Sequence, residues 1–131
     1  MDKERKMQPR TRQYLIIALG LITAALHLGA ALDRRIFPDG PDVLFTLNAL
    51  GYVGLLLAYF LPLGFLRSRR RLIWQAFIAF TIITIAAWVI IYVGLFVIRD
   101  GHPFFSVDAM YGIPAKIAEL ALLYSLRQDK P

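Results

Sequence analysis

The segment from Leu72 to Ile98 carries no formally charged side chain and is dominated by large apolar residues. A helix needs about 20 mostly apolar residues to cross the hydrocarbon layer of a membrane, so this segment is long enough to do so. Tyr14–Leu32 and Val43–Leu66 meet the same criterion, and Phe104–Leu126 meets it more weakly. The sequence therefore predicts four membrane-spanning segments within a single transmembrane domain, residues 1–131.

The composition agrees with this prediction, because 58% of the 131 residues are hydrophobic. Ordinary globular domains contain ~45–50% apolar residues, and so short a soluble chain could not bury the excess. The four segments are too long for the strands of a membrane barrel, which have ~9–11 residues with strict alternation. Short loops make consecutive helices antiparallel neighbours. We therefore expect an all-α membrane four-helix bundle with antiparallel up-down neighbours.

Basic residues are distributed unevenly between the two sides of the predicted spans. Short cytoplasmic loops of membrane proteins are enriched in Lys and Arg. One side carries only Arg34, Arg35 and Arg99. The other side carries Lys3, Arg5, Lys6, Arg10, Arg12, Arg67, Arg69, Arg70, Arg71, Arg127 and Lys130. This bias predicts that the N- and C-termini are both cytoplasmic.

The net charge of +6 is explained by this topology. No nucleic-acid partner is expected, because the basic residues are split among tails and a tight loop and do not form one folded basic face. The cluster of Arg67, Arg69, Arg70 and Arg71 lies beside two apolar segments, where it is expected to attract anionic lipid headgroups.

Polar side chains within the apolar segments indicate where a functional site would lie. Counting the helical rise from the charged loops places His27, Asn48 and Tyr92 in one outer layer. The same count places Tyr52, Trp88 and Lys116 near the midplane, with Trp88 too deep for an interfacial aromatic residue. Spacings of three and four put these residues on one face of each helix. Four such faces turned inward would form a polar seam.

The fourth segment contains the strongest signal. Lys116 and Glu119 are three residues apart, so they lie on the same helix face and can pair. A charge at the centre of a span costs ~2.5–3.5 kcal/mol, which roughly cancels the apolar gain of this segment, so the neighbouring helices are expected to enclose the pair. Pro114 predicts either a kink or the true start of a shorter helix.

Each of these residues has a structural interpretation beside the functional one. The pair of Lys116 and Glu119 could hold the helices together, or it could serve a ligand, an ion or a proton. His27 could be a hydrogen-bonded packing residue, a proton carrier or a metal ligand. Asn48 is expected to join two helices through its amide.

No sequence motif for catalysis, nucleotide binding or metal binding is present. The chain has no cysteine, which excludes disulfides and thiolate sites. His27 and His102 lie toward the same side, so they could serve as the two axial ligands of haem b if the loop after the third segment folds inward. We otherwise expect no cofactor, no metal ligand and no catalytic residue.

Three motifs resemble those of a group of small four-helix prokaryotic membrane proteins of unknown function. They are His27-Leu28-Gly29, the segment 47–52 with its Asn-x-x-Gly-Tyr motif, and the segment 111–119 with its Lys-x-x-Glu motif. The resemblance covers nearly the whole chain and implies the four-helix membrane fold and a prokaryotic cell membrane. It implies no activity.

The function that these observations favour is that of a non-enzymatic membrane protein, either a small subunit of a larger membrane complex or a homo-oligomer. An internal polar site would bind a small amphipathic ligand, an ion or a partner helix. The residues of this site would be His27, Asn48, Tyr52, Trp88, Lys116 and Glu119. The alternatives are a transporter or proton-conducting element, and a haem- or quinone-linked electron-transfer subunit.

Overall fold

The computed structural model describes residues 8–131 and is helical, with no β-strand in that range. Lys3, Arg5 and Lys6 of the basic N-terminal segment lie outside the described residues. The elements are α1 (Pro9–Leu32), α2 (Val43–Phe60), the short α3 (Gly64–Ser68), α4 (Arg70–Trp88), a π-helix (Val89–Arg99) and α5 (Val107–Gln128). The prediction of an all-α chain is confirmed.

Three helical stretches are long and apolar enough to cross a membrane. They are α1 with 24 residues, α2 with 18 residues, and the continuous stretch of α4 and the π-helix with 30 residues. These correspond to the first three predicted segments. The fourth long helix, α5, has 22 residues and contains Asp108, Lys116, Glu119 and Arg127. Length and apolar character thus support a membrane protein.

Prolines explain where the helices differ from the predicted segments. Helix α1 begins at Pro9, earlier than predicted, because proline is well tolerated in the first helical turn. Helix α2 ends at Phe60 and not at Leu66, because Pro62 disfavours a helical conformation at the preceding residue. Helix α5 runs through Pro114 without ending there. Of the two alternatives for Pro114, a helix that starts at this residue is therefore wrong.

The third predicted segment changes its helical form at Val89. The π-helix from Val89 to Arg99 has 11 residues, whereas π-helical geometry is usually confined to a single turn inside an α-helix. Periodicity did not predict this change. The π-helix contributes Ile91, Tyr92 and Phe96 to the cavity described below.

The helices contact one another in a closed order. Helix α1 contacts α2 and α5, α2 contacts α4, and α4 contacts α5. Arg12 near the start of α1 bonds Asp129 just after α5, and Asp33 after α1 bonds Tyr111 near the start of α5. Helices α1 and α5 are therefore antiparallel. We call the end with Arg12 and Asp129 the terminal end, and the opposite end the loop end.

Close contact between α4 and α5 requires a glycine. A Cβ atom on Gly112 would lie 2.5 Å from Nε1 of the Trp88 indole, closer than real Cβ atoms approach. The Trp88 indole therefore packs closely against Gly112 of α5, and it stacks on Tyr92 with ring centroids 5.3 Å apart. The indole is held as a fixed wall between the two helices.

Large apolar side chains fill the centre of the terminal end. Ile16, Phe77, Leu122 and Leu126 have no exposed surface, and Leu56 is nearly as buried. They come from all four long helices and touch in one cluster. Tyr52 and Tyr59 also belong to this cluster, and the buried hydroxyl groups of Thr81 and Ser125 are bonded within their own helices. Below we call this cluster the apolar core.

Candidate functional site

A cavity of about 700 Å³ lies among the helices at the loop end. Each of the four long helices, the π-helix and both loops of that end contribute to its walls. The outer layer predicted from the sequence, His27, Asn48 and Tyr92, lines this cavity, as do Trp88 and Lys116. Its volume is within the ~300–1,000 Å³ that is usual for small-molecule sites. The smaller depression of about 490 Å³ is formed by one loop and the start of α2, residues 36–44, so groups from different helices do not converge there.

The ion pair predicted on α5 is present and enclosed. Lys116 Nζ donates to Glu119 Oε2 at 2.6 Å. Glu119 has no exposed surface and Lys116 is 8% exposed. Neighbouring helices therefore shield both groups, as expected. Lys116 lines the cavity, whereas Glu119 lies behind the cavity wall.

His27 joins α1 to this pair. Its Nδ1 lies 2.8 Å from the backbone oxygen of Thr23, and its Nε2 lies 3.5 Å from Glu119 Oε1. A carbonyl oxygen only accepts, so Nδ1 carries a proton and Nε2 of the neutral ring has a lone pair. His27 is thus oriented by Thr23 with its other nitrogen toward the carboxylate of α5.

The two histidines do come near one cavity, because His27 and His102 both line it. However, both ring nitrogens of His27 are directed at protein oxygens, those of Thr23 and Glu119. An axial haem ligand needs a free ring nitrogen that is directed at the iron. The geometry of His27 therefore does not favour the haem b interpretation.

Asn48 links α2 to α4 as predicted. Its Nδ2 donates to Thr84 Oγ1 at 3.2 Å, and the Thr84 hydroxyl donates to the backbone oxygen of Phe80 at 2.9 Å. Tyr52, one helical turn further along α2, has no exposed surface and does not line the cavity. Its ring lies 5.8 Å from that of His27. Tyr52 therefore belongs to the layer behind the cavity.

Several buried polar atoms in this region have no hydrogen-bond partner. They are Thr23 Oγ1, Asn48 Oδ1, Tyr52 Oη and Glu119 Oε1. A buried polar atom without a partner costs about 1–3 kcal/mol, and such atoms in native proteins commonly mark a bound water or ligand. Only Asn48 among these residues lines the cavity, whereas Thr23, Tyr52 and Glu119 lie in the layer behind it.

The upper walls of the cavity are aromatic. Phe45, Trp88, Tyr92 and Phe96 line it from α2, α4 and the π-helix. The Tyr92 hydroxyl lies 2.7 Å from the backbone oxygen of Phe104 and 2.7 Å from Ser106 Oγ, which ties the loop before α5 to this wall. The cavity thus has aromatic walls and charged side chains near the loops, those of Arg35, Asp42 and Asp108. Its remaining polar side chains on the helices include His27, Asn48, Thr84 and Lys116, which we call the polar floor.

Sequence reasoning missed Phe45 and the rim residues Asp33, Arg35 and Tyr111. Phe45 precedes Asn48 by three residues, so helical spacing could have placed it on the same face as Asn48 and Tyr52. No local pattern indicates that Tyr111 belongs to the rim, because its bond to Asp33 joins residues 78 positions apart.

The rim, formed by Asp33, Arg35 and Tyr111, is held by the Asp33 carboxylate, which accepts from four donor atoms. The Arg35 guanidinium donates to the Asp33 carboxylate at 2.7 and 3.0 Å. These hydrogen bonds, together with one from the Arg35 backbone N–H, hold the pKa of Asp33 well below its usual range. The Tyr111 hydroxyl donates to Asp33 at 2.8 Å, which connects the end of α1 to the start of α5. The rim therefore favours the ionised form of Asp33.

Replacing Asp33 with asparagine is expected to lower the thermal midpoint of the purified protein at neutral pH. The pKa of Asp33 in the folded protein is below the ordinary 3.8, so folding favours the ionised carboxylate. The carboxylate therefore stabilises the folded protein fully at pH values above 3.8. This stabilisation is lost as the pH falls toward the lowered pKa. Circular dichroism of both proteins in detergent, from pH 7 downward, measures this. Asp39→Asn, an exposed carboxylate in the same loop, is the control. If the difference in thermal midpoint between the wild type and Asp33→Asn grew as the pH was lowered, the stabilising role of the Asp33 carboxylate would be contradicted.

Within residues 8–131, no group of three or more His, Asp or Glu side chains is close enough to share a metal ion. Comparisons of the sequence with protein-family models, with curated proteins and with solved structures found no match.

Proposed function

We propose that the chain is a multi-pass membrane protein of four spanning helices with both termini in the cytoplasm. Large apolar side chains such as Leu44, Ile83 and Ile98 are more than 60% exposed, as lipid-facing residues would be. The start of α1 and the end of α5 meet at one end, where Arg67, Arg69 and Arg71 are exposed. A membrane with anionic headgroups on that side fits this charge.

The function we propose for the cavity is binding of a small amphipathic molecule, without catalysis. The observation that carries this proposal is a cavity of about 700 Å³ whose aromatic walls end on the polar floor. Ligand sites are typically concave, mostly apolar and equipped with a few convergent polar groups. The polar end of the ligand would lie toward His27, Asn48 and Lys116, with Trp88 against its apolar body. Glu119 and Tyr52 would support the floor from behind.

The apolar core is the reason to prefer binding over conduction. Ions and protons move along water or polar side chains, and an unpaired charge in an apolar layer costs several kcal/mol. Between Glu119 and the terminal end, the centre holds Ile16, Phe77, Leu122 and Leu126, all without exposed surface. A polar path through one copy of the chain would have to cross this layer.

We further propose that the protein works as a small subunit or a homo-oligomer in a prokaryotic cell membrane, in line with the resemblance to small four-helix membrane proteins. The motif residues Asn48, Lys116 and Glu119 that carry the resemblance are those of the polar floor and its support.

The test uses Trp88 as a reporter in a Trp74→Phe background, because Trp88 lines the cavity and Trp74 is near the terminal end. Dodecyl amphipaths with bromine on the sixth carbon quench tryptophan on contact. We expect saturable quenching in lipid nanodiscs. Ala87→Phe, which fills the cavity from its wall, should raise the half-quenching concentration at least about ten-fold, or ~1.4 kcal/mol.

Ala86→Phe is the matched control, since Ala86 is the exposed neighbour that does not line the cavity. It should leave quenching unchanged. Equal quenching in both variants would contradict the proposal. A Soret band that is lost in His27→Ala would support haem instead, and proteoliposome flux that is lost in Lys116→Met would support transport.

A further inference from the structure

Asn48 lines the cavity and has an unused acceptor. The Thr84 hydroxyl donates to the Phe80 backbone, so Thr84 Oγ1 is available only as an acceptor for the Asn48 amide. This fixes Nδ2 toward Thr84 and Oδ1 away from it. Oδ1 is buried and has no partner. A ligand at this position would therefore have to donate a hydrogen bond.

Lys116 presents unused donors to the same cavity. An ammonium group has three N–H donors, and one of them is bonded to Glu119 Oε2 at 2.6 Å. No other protein acceptor within residues 8–131 bonds Lys116 Nζ, and the residue lines the cavity. A ligand beside Lys116 would therefore have to accept a hydrogen bond.

The charge of the polar floor disfavours a strongly charged head group at this point of the cavity. Lys116 and Glu119 sum to zero wherever their shared proton lies, and His27 adds no charge while its ring is neutral. A buried ammonium would face Lys116, and a buried anion would lie close to Glu119. Either would be an unbalanced charge in a low-dielectric site, which costs several kcal/mol. A neutral head group matches this charge balance.

A hydroxyl group satisfies all three conditions, because it donates one hydrogen bond, accepts two and carries no charge. We propose that the ligand is an uncharged lipophilic alcohol, with its hydroxyl group bonded to Asn48 Oδ1 and Lys116 Nζ and its apolar body along Phe45, Trp88 and Phe96. This inference rests on the proposed ligand-binding function and specifies its ligand class.

The experiment compares four head groups on the same brominated dodecyl chain: an alcohol, a methyl ester, a sulfonate and a trimethylammonium. Quenching of Trp88 is measured in nanodiscs of the Trp74→Phe protein. We expect the alcohol to bind at least about ten-fold more tightly than the other three. The methyl ester accepts from Lys116 but cannot donate to Asn48, so it isolates the second hydrogen bond.

Asn48→Leu provides the internal test. It should weaken binding of the alcohol about ten-fold, as expected when one partner of a buried hydrogen bond is removed, and should leave the methyl ester unchanged. The alcohol and the ester are compared on the same folded variant, so a change in the stability of the protein would affect both measurements equally. Asn48→Asp keeps the size and an acceptor oxygen, and should retain the preference for the alcohol over the ester.

The outcomes separate the two proposals. The assignment of an alcohol would be overturned if the sulfonate or the trimethylammonium bound more tightly than the alcohol. It would also be overturned if Asn48→Leu weakened binding of the alcohol and the ester equally. Either result would leave a ligand site in place. Quenching by all four compounds that is unaffected by Ala87→Phe would overturn ligand binding itself.

Discussion

Replacing Glu119 with leucine is expected to lower the free energy of unfolding by about 3–5 kcal/mol, because it leaves the Lys116 ammonium buried without its partner. Glu119 has no exposed surface, and its Oε2 is 2.6 Å from Lys116 Nζ. The double variant Lys116→Met/Glu119→Leu removes both charges. It should recover most of the loss, since a buried pair replaced by apolar residues of similar size is often close to neutral.

The measurement is unfolding by sodium dodecyl sulfate in mixed micelles, followed by circular dichroism. Where the single variant does not accumulate, recovery of folded protein in the double variant is the readout. Ser125→Ala, which removes a buried hydroxyl bonded within its own helix, is the control on α5 and should change little. A double variant as unstable as Glu119→Leu would show that the charge pairing is not what stabilises this region.

Replacing Asp129 with alanine is expected to cost about 2–4 kcal/mol, because hydrogen bonds to charged groups are worth about 1.5–3 kcal/mol each. Its carboxylate accepts from Arg12 Nε and from the Tyr59 hydroxyl, both at 2.7 Å. Arg70 lies 3.5 Å away with 42% of its side chain exposed, so it contributes little. Asp129 thus joins the terminal ends of α1 and α2 to the end of α5.

The same unfolding measurement tests this prediction, with the exposed Asp39→Ala as control, which should stay within about 0.5 kcal/mol of the wild type. Trp74 offers a local readout in a Trp88→Phe background, because its indole donates to the Leu126 backbone at 2.8 Å. We expect its emission to shift to the red in Asp129→Ala. An effect of Asp129→Ala as small as that of Asp39→Ala would contradict the role of Asp129.

The helical class and the apolar helices were predictable because they depend on properties of neighbouring residues. Apolar length predicted four spanning segments, and the first three of them match helices that are long and apolar enough to cross a membrane. Spacing also predicted that His27, Tyr52 and Glu119 face inward, and all three are buried. The ion pair of Lys116 and Glu119 was predictable for the same reason, since three residues separate its members on one helix.

Boundaries were less predictable where several local preferences compete. Val43–Leu66 reads as one apolar segment, yet the helix ends at Phe60 because of Pro62. Pro114, in contrast, lies inside α5 without ending it. The two prolines differ in their surroundings: Pro114 is followed by residues that pack against α1, whereas Pro62 is exposed near the terminal end.

The chain sequence alone determined the helices, their inward faces and the ion pair on α5, because apolar length and helical period are properties of adjacent residues. Only the tertiary structure decided which of these faces meet. The distance of 3.5 Å between His27 and Glu119, the cavity with its polar floor, and the contacts of Asp129 each depend on how whole helices are rotated and packed. Packing of side chains such as Trp88 over Gly112 sets that rotation, and no local pattern encodes it.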